Sequence, residues 1–291
     1  MSIKFRPRSP GEKIQPRRRH LFEGKTKILC DGPEPGTYVL YFKDDCQGSG
    51  IETDPLVLDE KITPKEIIGT GKIIGKGAIN NRLSEMFMSR LDEIGVENHY
   101  LRRLNMCEQL VKATDPLPFV LTMNNIAVGD FAKRLGLDEG MALPEPIPEF
   151  RLKGVQESIQ GSIISAHHIT ALGWADKEEI KVILDMAQRI NDFLWGQFLA
   201  LGMRIMHYDL EFGRVYMSEY MEDAELILID EISADTCHIL DIKTSKRFVV
   251  NDDPSDIGVC YYGRAAYQEI ARRFGILTAG GPPDLYQEVA E

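Results

Sequence analysis

Cysteine is scarce here and badly placed for structural work. The five residues Cys30, Cys46, Cys107, Cys237 and Cys260 are odd in number, scattered, and never spaced C-x-x-C. That excludes a disulfide framework and a cysteine zinc site, and it points to a reducing cytoplasm. Histidine offers no metal site either. None of the six falls in an H-E-x-x-H spacing, and the neighbours His167 and His168 diverge on any regular element. No apolar run reaches membrane-spanning length, and the N-terminal arm lacks the apolar core of a signal peptide. Positive charge is in deficit: the formal net charge is −11, which argues against a nucleic-acid-binding body. The exception is the arm itself, where Lys4, Arg6, Arg8, Lys13, Arg17, Arg18 and Arg19 cluster among prolines. It reads as a solvated tail, with a contact arm for a partner subunit as the alternative. Two phosphate-binding motifs are mimicked and fail. Gly24-Lys25-Thr26 resembles the end of a Walker A loop, but the glycine required upstream is Arg19. Gly69-x-Gly71 with Gly75 has its third glycine misplaced for a dinucleotide fingerprint and lacks the βαβ context.

What is present is a chain of 291 residues, 43% hydrophobic, enough for one large domain or two intimate lobes. After the arm (1–20), Lys27–Cys30 and Thr37–Lys43 flank a Gly/Pro turn and predict a hairpin. Residues 46–75 read as a long Gly-rich excursion, a candidate lid. A helix is expected over Ala78–Ile94, stopped by Gly95, and a shorter one over Asp130–Leu135. Strands are expected near Glu97–Leu104, Gln109–Ala113 and Phe119–Met123. Asp176 with Glu179 forms a capping box for the longest helix, Lys177–Leu201. Its stripe of Ile180, Ile183, Leu184, Ala187, Ile190, Leu194, Phe198 and Leu201 is core. Strands Met203–Tyr208, Arg214–Met217 and Leu226–Asp230 follow, then a helix over Gly263–Phe274 and a tail. Strands come in runs and helices separately, so the class is α+β.

Chemistry concentrates in three places. Glu23-Gly24-Lys25-Thr26-Lys27 opens the first hairpin, and lysines two residues apart project to one side of a strand, where phosphate oxygens can be met. Lys76-Gly77-x-x-Asn80-Asn81 opens a helix whose free N–H groups suit an anionic or carboxylate ligand. His207-Tyr208-Asp209-Leu210-Glu211-Phe212-Gly213 and Leu226–Glu231 read as two apolar strands, each delivering a carboxylate at or near its end. Glu211 and Asp230 are the oxygen ligands that Mg²⁺ on nucleotide phosphates requires, the rest being water and phosphate.

Together with Lys133-Arg134-Leu135-Gly136, Ile169-Thr170-Ala171-Leu172-Gly173-Trp174 and Asp230-Glu231-Ile232-Ser233 with Asp235, these motifs resemble the SAICAR synthetase family of purine-pathway ligases. The likeness runs from about Leu21 to Ile276. It implies a two-lobed α+β fold with an ATP cleft, similar to ATP-grasp and kinase-like nucleotide sites, with lobes at 21–120 and 121–277 and a tail from 278. It also implies a reaction. ATP phosphorylates a substrate carboxylate (carboxyaminoimidazole ribotide in the family), and the amine of aspartate attacks the acyl phosphate. ATP and Mg²⁺ are the implied cofactors and a homo-oligomer the implied assembly. By position, Gly24, Lys25, Thr26 and Lys27 fall on the phosphate contacts. Lys112 and the segment through Leu117 to Pro118 fall beside adenine, and Glu211 and Asp230 fall on the magnesium-linked carboxylates.

The acceptor half departs from the family pattern. Arg-Asn-Arg-Ala-Ala-Gly-Ser is replaced by Asn124-Asn125-Ile126-Ala127-Val128-Gly129-Asp130, and Asp-Phe-Lys by His207-Tyr208-Asp209. Cys237-His238-Ile239-Leu240 stand where the family has Ser-Arg-Leu-Trp, Gly161-Ser162 replace an Asp-Pro, and basic residues are missing near Asp253–Asp256. Cations are lost and acids gained where the ribotide would bind; one unit pair of like charges at 4 Å costs ~4 kcal/mol at an effective dielectric of 20. The expectation is therefore an ATP-dependent ligase with a rebuilt acceptor pocket comprising Asn80, Asn124, Asp130, His207, Asp209 and His238. A non-catalytic nucleotide-binding paralogue and a small-molecule kinase are the alternatives.

Overall fold

The computed structural model describes residues 18–49, 70–153, 161–216, 224–249 and 261–277. Most of the basic arm, residues 50–69 of the excursion, the Asp253–Asp256 stretch and the tail lie outside the described residues.

The N-terminal part is an antiparallel sheet. Strands β2 (Lys27–Asp31) and β3 (Thr37–Phe42) form the expected hairpin, β1 (His20–Glu23) adds to it, and β6 (Tyr100–Arg103) and β7 (Glu108–Lys112) complete the order β1-β2-β3-β7-β6. The short strands β4 (Asp45–Ser49) and β5 (Thr70–Lys72) pair with each other at the base of the excursion. Helix α1 (Lys76–Glu93) follows directly. Its first turn lies so close to the end of β3 that a Cβ on Gly77 would meet the Phe42 carbonyl oxygen at 2.4 Å. Gly95, at φ 75°, ends it with its N–H on the Asp92 carbonyl at 2.9 Å.

The second sheet runs in the order β10-β9-β8-β11-β13-β14-β15, with β12 also on β11. Its strands are β8 (Asp115–Ile126), β9 (Ala142–Leu152), β10 (Ile163–Ile164), β11 (Met203–Tyr216), β12 (Ala224–Ile229), β13 (Cys237–Asp241), β14 (Arg247–Val249) and β15 (Tyr261–Tyr262). Helices α2 (Gly129–Leu135), α3 (Ala166–Ala171), α4 (Lys177–Ala200) and α5 (Gly263–Arg273) accompany it. The capping box on α4 is formed in both directions, at 2.8 and 2.9 Å. The α4 stripe is buried from Ile180 to Phe198 against the sheet, each such side chain contributing about 2 kcal/mol. The same core takes in α1 and α5: Phe87, Phe198 and Phe274 meet with ring centroids 5.0–5.7 Å apart. The change of sheet falls between Lys112 and Asp115, and β8 spans residue 120 without a break.

Several elements differ from expectation, among them β13 and α3, which were not foreseen. The run Met203–Tyr216 is one strand, not two, so Glu211 stands in mid-strand rather than at an end. Gly213 lies within this strand as a close-packing glycine, whose Cβ would lie 3.1 Å from the Asp115 carbonyl oxygen and 3.3 Å from Ile229. Strand β9 was not expected because Pro144, Pro146 and Pro148 interrupt its pattern. They fall on alternate residues, so their missing N–H groups share one side, and β10 pairs only with Phe150 and Arg151 beyond them.

Strand β11 organises the rest. It pairs with β8 along one edge, while its other edge is shared: β13 takes Met203 to Tyr208 and β12 takes Glu211 to Tyr216. The segment from Asp230 to Thr236 bridges this fork, with Asp209 N–H donating to the Thr236 carbonyl at 3.2 Å. The two sheets meet at the same place. His99 N–H donates to Leu228 of β12 at 3.0 Å, and Lys112 N–H donates to the His99 carbonyl at 2.7 Å.

Candidate active site

Side chains directly opposite in an antiparallel pair share a face, so the register defines the site. One row holds Glu211, Val120 and Arg151; the next holds Asp209, Thr122 and Glu149; the third holds His238, His207, Asn124 and Ile147. The opposite face, with Tyr208, Leu210 and Phe212, is buried in the core against α4. Glu211 therefore stands on the face away from α4, next to the fork.

Lys27, the first residue of β2, reaches across from the other sheet. Its ammonium pairs with Asp230 and lies 3.4 Å from Glu231. Burial opposes its charge, but Asp230 and Glu231 outweigh burial and hold it above the usual lysine range. Lys153, just beyond β9, pairs with Glu211 at 2.6 Å. Burial pushes the Glu211 carboxyl up and Asp230 adds to this, while Lys153 opposes. Burial acts the same way on Asp230, yet Lys27 and then Lys153 hold it below the usual carboxylate range. Glu231 is buried, with Oε2 lacking a hydrogen-bond partner among the described residues, and burial lifts its carboxyl to about 7.

Asp230 has φ 65°, the left-handed region that few non-glycine residues occupy. The ring Nε2 of buried His99 lies 2.7 Å from its carbonyl oxygen and holds the turn. A carbonyl only accepts, so Nε2 carries the proton and the ring is neutral; burial lowers its pKa to about 4.

Of the residues singled out from sequence, Lys27, Glu211 and Asp230 are brought together. Lys25 is exposed at the turn before β2, Gly24 N–H donates to the Lys27 carbonyl at 2.9 Å, and the Thr26 carbonyl accepts from Lys43 N–H at 2.8 Å. Lys112 lies 3.9 Å from Glu97, and Leu117 is packed in the main core. The start of α1 already holds an anion of its own: the Asp44 carboxylate accepts from Gly75 N–H at 3.2 Å and Gly77 N–H at 2.9 Å. Lys76 is fully buried on Asp235 at 2.6 Å, and Asp235 also accepts from the Tyr267 hydroxyl. Asn80 is buried with its carbonyl oxygen unpartnered among the described residues.

Of the residues expected to line the acceptor pocket, His207 and His238 stack with centroids 3.9 Å apart, Asp209 accepts from the Thr122 hydroxyl at 2.6 Å, and buried Asn124 donates to the Ile147 carbonyl at 3.1 Å. Asp130 does not join this row; it is exposed on the first turn of α2, 3.3 Å from Arg134. Ile126 packs in a small apolar cluster with Val128 and Met206. Sequence reasoning missed Lys153, His99 and the pairing role of Glu231. Only Glu231 carried a signal, its adjacency to Asp230.

A lysine reaching from one sheet to two adjacent carboxylates of the other, beside a sheet face lined with polar groups, suits the binding of phosphorylated ligands. The comparisons agree. The SAICAR synthetase family model matches residues 20–255. Phosphoribosylaminoimidazole-succinocarboxamide synthase of Rhodospirillum centenum is 40% identical over 92% of this chain and 96% of its own length. The Sinorhizobium fredii enzyme of the same name is likewise 40% identical, over 92% and 96%. Among solved structures, the Ehrlichia chaffeensis phosphoribosylaminoimidazole-succinocarboxamide synthase superposes with a TM-score of 0.74 at 28% identity, covering 89% of this chain and all of the other. A SAICAR synthetase in complex with ADP gives a TM-score of 0.71 at 28% identity, covering 88% and 98%. These likenesses define an ATP-dependent ligase. Within that class, the chain belongs to the SAICAR synthetase family.

Proposed function

We propose that this protein joins an amine to a carboxylate through an acyl phosphate, and that its carboxylate acceptor differs from carboxyaminoimidazole ribotide. The first part extends what its relatives are named for, and a relative's complex with ADP supports nucleotide use. The observation that carries the second is the composition of one sheet face. Lys27, Lys153, Glu211 and Asp230 remain at one end, while Asp209, Thr122, Asn124, His207 and His238 occupy the next two rows. Where the family resemblance places two arginines, Asn124 is spent on a backbone carbonyl and Ile126 on an apolar cluster. Neither replaces a guanidinium fork toward phosphate.

The donor set fits Mg²⁺. Glu211 and Asp230 supply hard oxygens from neighbouring elements, and the Glu231 Oε2 atom has no hydrogen-bond partner among the described residues. Among the described residues no three-ligand cluster is preassembled. Mg²⁺ needs only one or two protein carboxylates beside phosphate and water. When bound, it neutralises charge on the phosphoryl oxygens. Glu211 and Asp230 would hold it. Lys27 and Lys25 would supply positive charge to the transferring phosphoryl group and so stabilise the transition state. The chain thereby converts a poor electrophile, a carboxylate, into one with a leaving group. The attacking amine, aspartate by family resemblance, lies on the acceptor rows.

The test is ADP release by purified protein with ATP, Mg²⁺ and L-aspartate, with and without carboxyaminoimidazole ribotide. No stimulation by the ribotide is expected. SAICAR formation at about 1 s⁻¹ or faster, within the usual range of enzyme turnover, would refute the changed acceptor. Asp230→Asn is expected to abolish ATP turnover with whatever acceptor supports it.

A further inference from the structure

The same sheet face carries a cation that this mechanism leaves unused. Arg151 on β9 occupies the row of Glu211 and Val120, so its side chain rises from the face that bears the carboxylates. Two strand spacings separate it from Glu211, ~10 Å between Cα atoms. One row along, the Glu149 carboxylate takes both oxygens to Arg134 Nη2, at 3.0 Å each. Arg151 gives Glu149 only Nη2, at 3.2 Å. Its Nε is buried with no hydrogen-bond partner among the described residues. A donor withdrawn from water and left unpaired is costly, and native structures tolerate few. The Nε–Nη edge is also the part of a guanidinium that grips a carboxylate or phosphate with two parallel bonds. Meanwhile β8, which faces the same ligand space, offers only the neutral side chains Val120, Thr122 and Asn124 in these rows.

We propose that Arg151 binds an anionic group, carboxylate or phosphate, on the small molecule seated against this face, while Arg134 holds Glu149 in place. Anion recognition on the acceptor side comes from β9. This rests on the ligase reading above, in which the acceptor and the amine lie beside Glu211. The anion belongs either to the acceptor or to an amino-acid amine, and the two sources are separable.

The test is calorimetric titration of the full chain, saturated with Mg²⁺ and ADP, with inorganic phosphate, succinate and L-aspartate in turn. At least one probe is expected to bind, and Arg151→Leu should weaken it at least tenfold with ADP affinity and melting temperature unchanged. Arg151→Lys, which keeps the charge and loses the fork, should fall between, and it stands in if the leucine variant does not fold. Loss on aspartate and succinate with phosphate unaffected assigns the anion to the amine; loss on phosphate assigns it to the acceptor. Equal binding by wild type and variant, or no binding of any probe by wild type, overturns the proposal. A wild-type protein that fails to bind ADP refutes the ligase reading instead, and the same probes titrated without nucleotide then decide Arg151.

Discussion

Replacing His99 with glutamine tests how the left-handed turn at Asp230 is held. The wild-type ring is buried, neutral, and within 2.7 Å of the Asp230 carbonyl oxygen, to which it donates. Its pKa falls from 6.5 to about 4 on folding, with burial as the main cause. The unfolded chain therefore takes up a proton below pH 6.5 that the folded chain refuses until about pH 4. The stability is whole above 6.5 and is lost as pH falls through that window, by about 2.5 kcal/mol at pH 4.5. Glu231 works in the opposite sense. Its carboxyl, raised to about 7 by burial, is protonated in the folded chain before the unfolded one, so stability rises as pH falls from 7 toward 4.5. The two effects mask each other in wild type, and the difference between wild type and His99→Gln isolates the histidine. Glutamine keeps an amide donor but does not titrate. At pH 7.5 without metal, the variant should be less stable by about 1 kcal/mol, the worth of one imperfectly replaced hydrogen bond. At pH 4.5 the order should reverse, with the variant ahead by ~1.5 kcal/mol. Urea unfolding at the two pH values measures this, and a difference that does not change with pH would refute the reasoning.

Other outcomes follow from packing and charge. Lys76→Met strands the Asp235 carboxylate in a buried site and should cost about 3–5 kcal/mol in chemical denaturation, part of it recovered by adding Asp235→Asn. Gly77→Ala drives a methyl group into the Phe42 carbonyl and should cost about 1–3 kcal/mol, seen as a melting temperature lower by several degrees.

What could be read from the sequence depended on how local the physics was. Helix α4 was legible because Asp176, Glu179 and the Ile180–Phe198 stripe all act within a few residues of one another. Helix α1 was legible from its stripe and from Gly95. Strand β9 was not, since alternating prolines remove the pattern that identifies a strand, and only the pairing with β8 reveals why they are tolerated. Glu211 and Asp230 were found as an apolar strand pair with acidic residues, and Lys27 as a strand-opening lysine. Their neighbours were hidden by distance along the chain: Lys153 is 58 residues from Glu211, and His99 is 131 from Asp230. Nothing local marks such partners. The start of α1 was read as a site for an anionic ligand; there the Asp44 carboxylate, distant in sequence, accepts from the Gly75 and Gly77 N–H groups.

The divided edge of β11 has a consequence for how this protein can be changed. The half held by β12 fixes Glu211 opposite Ile229, while the half held by β13 fixes His207 opposite His238. Substitutions or small insertions in β13 act on one half and leave the other half's register anchored. Under the proposed function the strand is like a shaft carrying two tools, one for activating a carboxylate and one for choosing which carboxylate. On that reading, edits on the β13 side reach the rows of His207 and His238 first, and edits on the β12 side reach the row of Glu211 first.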